Sequence, residues 1–123
     1  EPEEVLVAGE VPLAAPGSWV AFDELARRRG DYAIVGMALT GRRHAGVLAD
    51  TRVVLMGVDS TPLRARKTEV LLNGKVADEA LAATAAASLR AEIDPLPDLT
   101  NSSETKRHLA GVLLQRLLNG VRA

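Results

Sequence analysis

A chain of 123 residues has room for one domain, residues 1–123. Its 47% apolar and 25% charged residues match the soluble globular average and exclude global disorder. A formal net charge of −1 and an aromatic share of 2% argue against nucleic acid, which needs a basic footprint and stacking platforms.

Cysteine is absent, which excludes disulfides, thiolate metal sites, iron–sulfur ligation by this chain and a cysteine nucleophile. The composition fits a reducing, cytoplasmic compartment. No apolar run reaches the length of a transmembrane helix, so membrane insertion is not expected. The chain opens at Glu1 without a methionine or a signal peptide, which reads as an excised or processed piece.

Val5, Val7 and Val11 lie between Pro2 and Pro12 and predict a short strand. Pro16-Gly17 marks a turn. Residues 18–29 fit either state. Trp19, Phe22, Leu25 and Ala26 have helical spacing, while Val20 and Phe22 share one face of a strand. Residues 32–39 and 52–58 read as strands with buried faces, joined by a hairpin-like connection over 41–50. Gly36 and Gly57 inside them suggest close backbone approach or a bulge.

Beyond Pro62 the chain turns helical. A short helix is predicted over 66–72, closed by Asn73-Gly74. An Ala-rich helix follows to Glu92, capped by Asp78. Pro95 and Pro97 break the next stretch. Asn101 and Glu104 resemble a capping box for a last helix, whose stripe is Leu109, Leu113 and Leu117 and whose end is Asn119-Gly120. Strands first and helices after predict an α+β fold, an antiparallel sheet with helices on one face.

The chemistry is sparse. His44 and His108 have no carboxylate or second histidine at metal-binding spacing. The adjacent acidic pairs Glu3-Glu4 and Asp78-Glu79 do not converge on one site. No Gly-x-Gly phosphate cradle occurs. Ser60-Thr61 and Ser102-Ser103 fit caps and turns better than nucleophiles. One cluster is unusual. Trp19, Phe22, Arg27, Arg28, Arg29, Asp31 and Tyr32 gather every aromatic beside three arginines and an acid. It reads either as a core anchor followed by a solvated basic turn, or as a tuned loop for an anionic or aromatic ligand or a partner.

Residues 21–39, AFDELARRRGDYAIVGMAL, resemble the C-terminal domain of the FAD-binding medium subunit of molybdenum hydroxylases, the carbon monoxide dehydrogenase and xanthine dehydrogenase family. The blocks PEEVLVAGEVP (2–12), RVVLMGVDSTPLRAR (52–66) and IDPLPDLTNSSETKRHLAGVLLQRLL (93–118) are similar to that family in the same order. The resemblance implies an antiparallel sheet followed by helices and tips residues 19–26 towards strand. It implies FAD, with the pyrophosphate-gripping domains outside this chain. Electrons would reach the flavin from a large molybdenum-cofactor subunit through a small [2Fe-2S] subunit and leave to an external acceptor.

By the same resemblance, Leu6 falls where relatives place a leucine against the isoalloxazine. Asp23 and Glu24 stand where xanthine dehydrogenase-like proteins have a lysine at the flavin, and Asp31 and Tyr32 match a loop that approaches it. The implied partners are the large and small subunits, or sister domains of one chain. Apolar surface near Leu6 and Trp19 would lie open and promote self-association. The isolated domain is not expected to be catalytic. The competing reading is an assembly domain of the same fold without flavin contact. Substrate and acceptor are not encoded here.

Overall fold

A computed structural model describes residues 3–121. Four strands form one antiparallel sheet in the order β1 (Ser18–Leu25), β2 (Val35–His44), β3 (Val47–Met56) and β4 (Leu63–Arg64). Three helices follow: α1 (Arg66–Leu72), α2 (Glu79–Glu92) and α3 (Ser103–Val121). The expected α+β architecture is the observed one, with all three helices on one face.

Strand alternation sets that face. Trp19, Ala21 and Leu25 of β1, Val35, Met37 and Leu39 of β2, and Val53 and Leu55 of β3 point inward. They meet Leu72 of α1, Ala82, Ala85 and Leu89 of α2, and Ala110, Leu113, Leu114, Leu117 and Leu118 of α3. Each buried Leu or Val contributes roughly 1.5–3 kcal/mol relative to exposure. The alanines of α2 let it pack close to α3 without lengthening the core.

Several expectations need correction. The strand expected over Val5–Val11 does not form: residues 4–15 belong to no helix or strand, and their apolar side chains are exposed. Residues 41–50 are not a connection. Both strands run through them, and the turn is only Ala45-Gly46. The reason is a β-bulge, where the register steps from Thr40↔Arg52 to Arg42↔Ala49. Asp50 occupies the extra position at φ +51, which breaks the period-two pattern and turns Leu48 inward. Gly41 sits opposite, where a Cβ would lie 3.0 Å from both the Ala49 carbonyl and the Trp19 ring.

The last helix is capped by Ser102, whose Oγ accepts the Thr105 amide at 3.1 Å, not by Asn101. It also continues through Asn119-Gly120 to Val121. Helix α1 and the Asp78 cap match expectation, with the Leu81 amide 2.7 Å from the Asp78 carboxylate. Helix α1 has no side-chain cap of its own. Instead the Glu92 carboxylate, from the end of α2, accepts the Lys67 and Thr68 amides at 2.9 Å.

The two edges of the sheet differ. Strand β4 pairs only with Val54 and Leu55 of β3. Beyond it, side chains of α1 and the turn after it serve as a substitute strand. The Val53 amide donates to Glu69 Oε1 at 3.0 Å, and the Thr51 amide to Asn73 Oδ1 at 2.9 Å. Glu69 is buried and also pairs with Arg64. Burial pushes its carboxyl up, but the Arg64 guanidinium and the Val53 amide outweigh this and hold it below its ordinary value. Among the described residues no strand lies on the outer side of β1.

Candidate functional site

Three connections meet at one end of the sheet: residues 26–34 between β1 and β2, residues 57–62 after β3, and residues 93–102 between α2 and α3. Lys106 of α3 ties them together. It is 5% exposed, its Nζ donates to the Gly57 carbonyl at 2.9 Å, and it pairs with Asp98 at 3.0 Å. Gly57 lies directly against the Ala33 and Ile34 carbonyls. The Leu96 amide adds a bond to the Val58 carbonyl at 2.8 Å.

Asp98 organises its own loop. Its Oδ1 accepts the amides of Thr100 and Asn101 at 2.8 and 2.9 Å, the Thr100 hydroxyl, and the Asn101 side-chain amide. The Thr100 amide and the Lys106 ammonium hold its carboxyl well below the usual carboxylate range, so it remains ionised. Asn101 therefore orders this loop and does not cap α3.

A cleft of about 160 Å³ separates the loop from the β1–β2 connection, lined by Arg27, Asp31, Tyr32, Ala33, Ile34, Asp98, Thr100 and Asn101. Asp31 closes the opposing turn: its amide bonds the Arg28 carbonyl, its carboxylate accepts the Tyr32 amide at 2.9 Å, and Arg28 stands 3.9 Å away. The Tyr32 ring is 96% exposed at the rim. Asp31 and Tyr32 thus come together, beside a run of three exposed arginines.

The other expected residues are placed differently. Asp23 and Glu24 are adjacent in β1 and point to opposite faces. Asp23 lies on the helix side, 2.8 Å from Arg116 of α3, which lowers its pKa. Glu24 lies on the open side of the sheet, in register with Gly36 and Met56. The next rows across that face are Phe22–Ala38–Val54 and Val20–Thr40–Arg52. Small residues of β2 form its floor, flanked by Phe22 and Val20 on one side and by Met56 and Val54 on the other. The Met56 side chain lies over Gly36, where a Cβ would come within 2.7 Å of it. Leu6 is 91% exposed in the N-terminal arm. The importance of Lys106 and Asp98 was missed in the sequence, where a lysine in an amphipathic helix looks solvated.

A larger groove of about 560 Å³ runs beside the start of β1, between Trp19, Phe22 and the last turns of α3. Its arginines are engaged: Arg116 with Asp23, and Arg43 with the Val121 carbonyl. Both histidines are exposed, His44 at the end of β2 and not in a loop. Among the described residues no group of three His, Cys, Asp or Glu can hold a metal ion, and no helix is long and apolar enough to cross a membrane.

The arrangement can serve as one wall for a flat ring. The open face offers an apolar surface with a low floor, and the adjoining loops offer fixed charges. Among the described residues no glycine-rich turn of the kind that cradles a pyrophosphate leads into a helix.

Comparison with known proteins identifies the family. A family model described as the CO dehydrogenase flavoprotein C-terminal domain matches residues 20–121. The carbon monoxide dehydrogenase medium chain of Hydrogenophaga pseudoflava is 32% identical over 97% of this chain and 42% of its own length. The 6-hydroxypseudooxynicotine dehydrogenase complex subunit alpha of Paenarthrobacter nicotinovorans is 32% identical over 95% of this chain and 40% of its own length. A solved Hydrogenophaga pseudoflava carbon monoxide dehydrogenase that lacks the Mo-pyranopterin moiety superposes with TM-score 0.82 at 33% identity, over 92% of this chain and 40% of that one. Quinoline 2-oxidoreductase from Pseudomonas putida 86 gives TM-score 0.78 at 33% identity, over 88% of this chain and 39% of that one. The chain thus spans about two fifths of the length of the relatives it matches. Its sequence and its fold both place it in the CO dehydrogenase flavoprotein C-terminal domain family.

Proposed function

We propose that this chain is the ring-side wall of the flavin site in a medium subunit of the molybdenum-hydroxylase type. The observation that carries the reading is the uncovered sheet face, with Glu24, Gly36 and Met56 in one row beside the loop that holds Asp31 and Tyr32. When bound, FAD supplies the redox chemistry, taking electrons from the iron–sulfur clusters of a small subunit and passing them to an external acceptor. This chain's part is to cover one side of the ring, exclude water and set the local charge. Leu6 supplies apolar contact, and Glu24 supplies a negative charge. The substrate is oxidised in the large subunit, and the working complex is expected in the cytoplasm.

A second reading, an assembly domain without flavin contact, draws on two observations: Asp23 is turned away towards Arg116, and Glu24 places an anion beside the proposed ring. FAD titration separates the two. This chain alone should bind FAD weakly or not at all, while the full medium subunit binds it stoichiometrically. In that subunit Leu6→Asp should weaken binding and change the flavin absorbance. A full subunit that holds FAD with an unaltered spectrum in the Leu6→Asp and Tyr32→Ala variants would leave the assembly reading standing.

A further inference from the structure

The edge of the sheet farthest from β1 holds a pocket of about 180 Å³, lined by Asp50, Thr51, Arg52, Arg64, Glu69 and Asn73. The brevity of β4 leaves room for it. That strand is two residues long and pairs with β3 only at Val54 and Leu55. Among the described residues no strand flanks 50–53 on that side, and side chains from α1 and the turn after it stand there instead.

The polar groups of this pocket are unevenly engaged. Both carboxylates are paired. Arg42 Nε donates to Asp50 Oδ2 at 2.7 Å, and Arg64 donates to both oxygens of Glu69 at 3.0 and 2.6 Å. The Asn73 side-chain oxygen accepts the Thr51 amide at 2.9 Å. What remains is almost entirely donors: the Asn73 NH2 group, the second terminal nitrogen of Arg64, and the whole guanidinium of Arg52, which is exposed and has no ion pair among the described residues. Arg66, exposed beside Glu69, is a second cation without an ion pair there. Once Arg42 is matched with Asp50 and Arg64 with Glu69, two positive charges are left over. The pocket wall also contains a polar group without a partner. Thr51 is 2% exposed, and its hydroxyl makes no hydrogen bond. Buried hydroxyls are normally satisfied, so one left over in the wall of a polar pocket marks a place for an acceptor.

We propose that this pocket is an anion site that takes the phosphate group of a small ligand between Arg52, Arg64 and Asn73. Guanidinium groups present fixed donors that match phosphate oxygens, and two unmatched cations suit a dianion better than a single carboxylate. A phosphate oxygen, or a water carried in with it, supplies the acceptor that the Thr51 hydroxyl lacks. Free phosphate and the phosphate end of a larger metabolite bring the same chemistry. The site lies at the opposite edge of the sheet from β1 and does not rest on the flavin reading.

A titration with inorganic phosphate, followed by the amide resonances of this chain at constant ionic strength and about pH 8, tests it; phosphate is dianionic there. The shifts should centre on Thr51, Arg52 and Asn73 and saturate with a dissociation constant of about 1 mM, a plausible affinity for so small a ligand. Acetate should need at least about tenfold more, because it carries one charge. Arg52→Gln should weaken phosphate binding at least about tenfold without lowering the melting temperature, since its side chain is exposed and unpaired. Asp50→Asn removes the one carboxylate oxygen free to repel the ligand, and Asn tolerates the left-handed backbone at that position, so it should tighten binding. Arg29→Gln, an equal loss of charge at the far end of the sheet, should change nothing. Adenosine monophosphate separates the sources: tighter binding than phosphate assigns the site to the end of a larger metabolite, and equal binding assigns it to the free ion. Shifts that grow linearly without saturating would overturn the proposal. So would shifts centred on Arg27–Arg29, or equal weakening by Arg52→Gln and Arg29→Gln, either of which would show only a general attraction to surface charge.

Discussion

Gly57→Ala offers a direct test of how the core positions the cleft. Gly57 has φ +80, and a Cβ there would lie 2.7 Å from the Ile34 carbonyl oxygen and 3.2 Å from that of Ala33. The left-handed backbone alone costs an alanine about 1–2 kcal/mol. Backbone atoms cannot swing aside, so relieving the clash adds about 1–3 kcal/mol of overpacking. The sum, about 2–5 kcal/mol, is a large part of the 5–15 kcal/mol that typically holds a domain together.

Gly30 is the control. It has the same φ, +80, but nothing within 4 Å of its Cβ position, so Gly30→Ala should cost only the backbone part. Urea unfolding of both variants, followed by Trp19 fluorescence at unchanged m, should place the Gly57→Ala midpoint lower by roughly 1 M for each 1–3 kcal/mol of difference. Equal midpoint shifts would refute the close approach between Gly57 and the β1–β2 connection. With it would go the idea that this contact sets one wall of the cleft.

Glu69→Ala strands the buried Val53 amide and should cost about 1–3 kcal/mol in denaturant unfolding, while Glu69→Gln, which keeps an acceptor, should cost less. Glu69, Asp23 and Asp98 all have folded pKa values below their unfolded ones. Their stabilisation is therefore complete above about pH 4.5 and is lost as pH falls through the folded values; a melting temperature flat across acid pH would contradict this. Asp98→Ala leaves the Lys106 ammonium buried with only the Gly57 carbonyl. It should lower the melting temperature more than Lys106→Met, which leaves Asp98 hydrated and still bonded to Thr100 and Asn101; the reverse order would show that the loop does not depend on Asp98. In a full subunit that binds FAD, Glu24→Lys should raise the flavin midpoint potential by favouring the anionic reduced ring, and an unchanged potential would place Glu24 away from it.

Much of the fold is legible where one local rule acts alone. Helix α1 and the Asp78 cap follow from propensity, capping and the Asn73-Gly74 stop. The β2–β3 hairpin is harder to read because the bulge at Asp50 adds one residue and inverts the alternation that marks a strand. Residues 18–25 fit two periodicities at once, and only pairing with β2 decides between them. The arm fails for another reason: its pattern is a strand pattern, but alternation alone does not supply a ladder, and residues 4–15 pair with no strand among the described residues.

The candidate site is less legible. Asp31 and Tyr32 stand out by composition. Asp23 and Glu24 look alike until strand geometry sends one to Arg116 and the other to the open face. Lys106 and Asp98 carry no local signal, because their partnership joins α3 to a loop and to the end of β3.

The unequal edges of the sheet also set an order of events as the chain leaves the ribosome. The seal on β3 joins residues 16 and 22 positions apart, so it closes soon after α1 emerges. The Asp23–Arg116 bond spans 93 positions, and the inner face of β1 meets α3 only after all of the intervening chain has emerged. Until then the first strand of the domain stands exposed at its edge and on its inner face, the condition in which nascent sheets mispair. The last turns of α3 therefore act as a late-arriving lock, and shortening the chain there would be felt first at its opposite end.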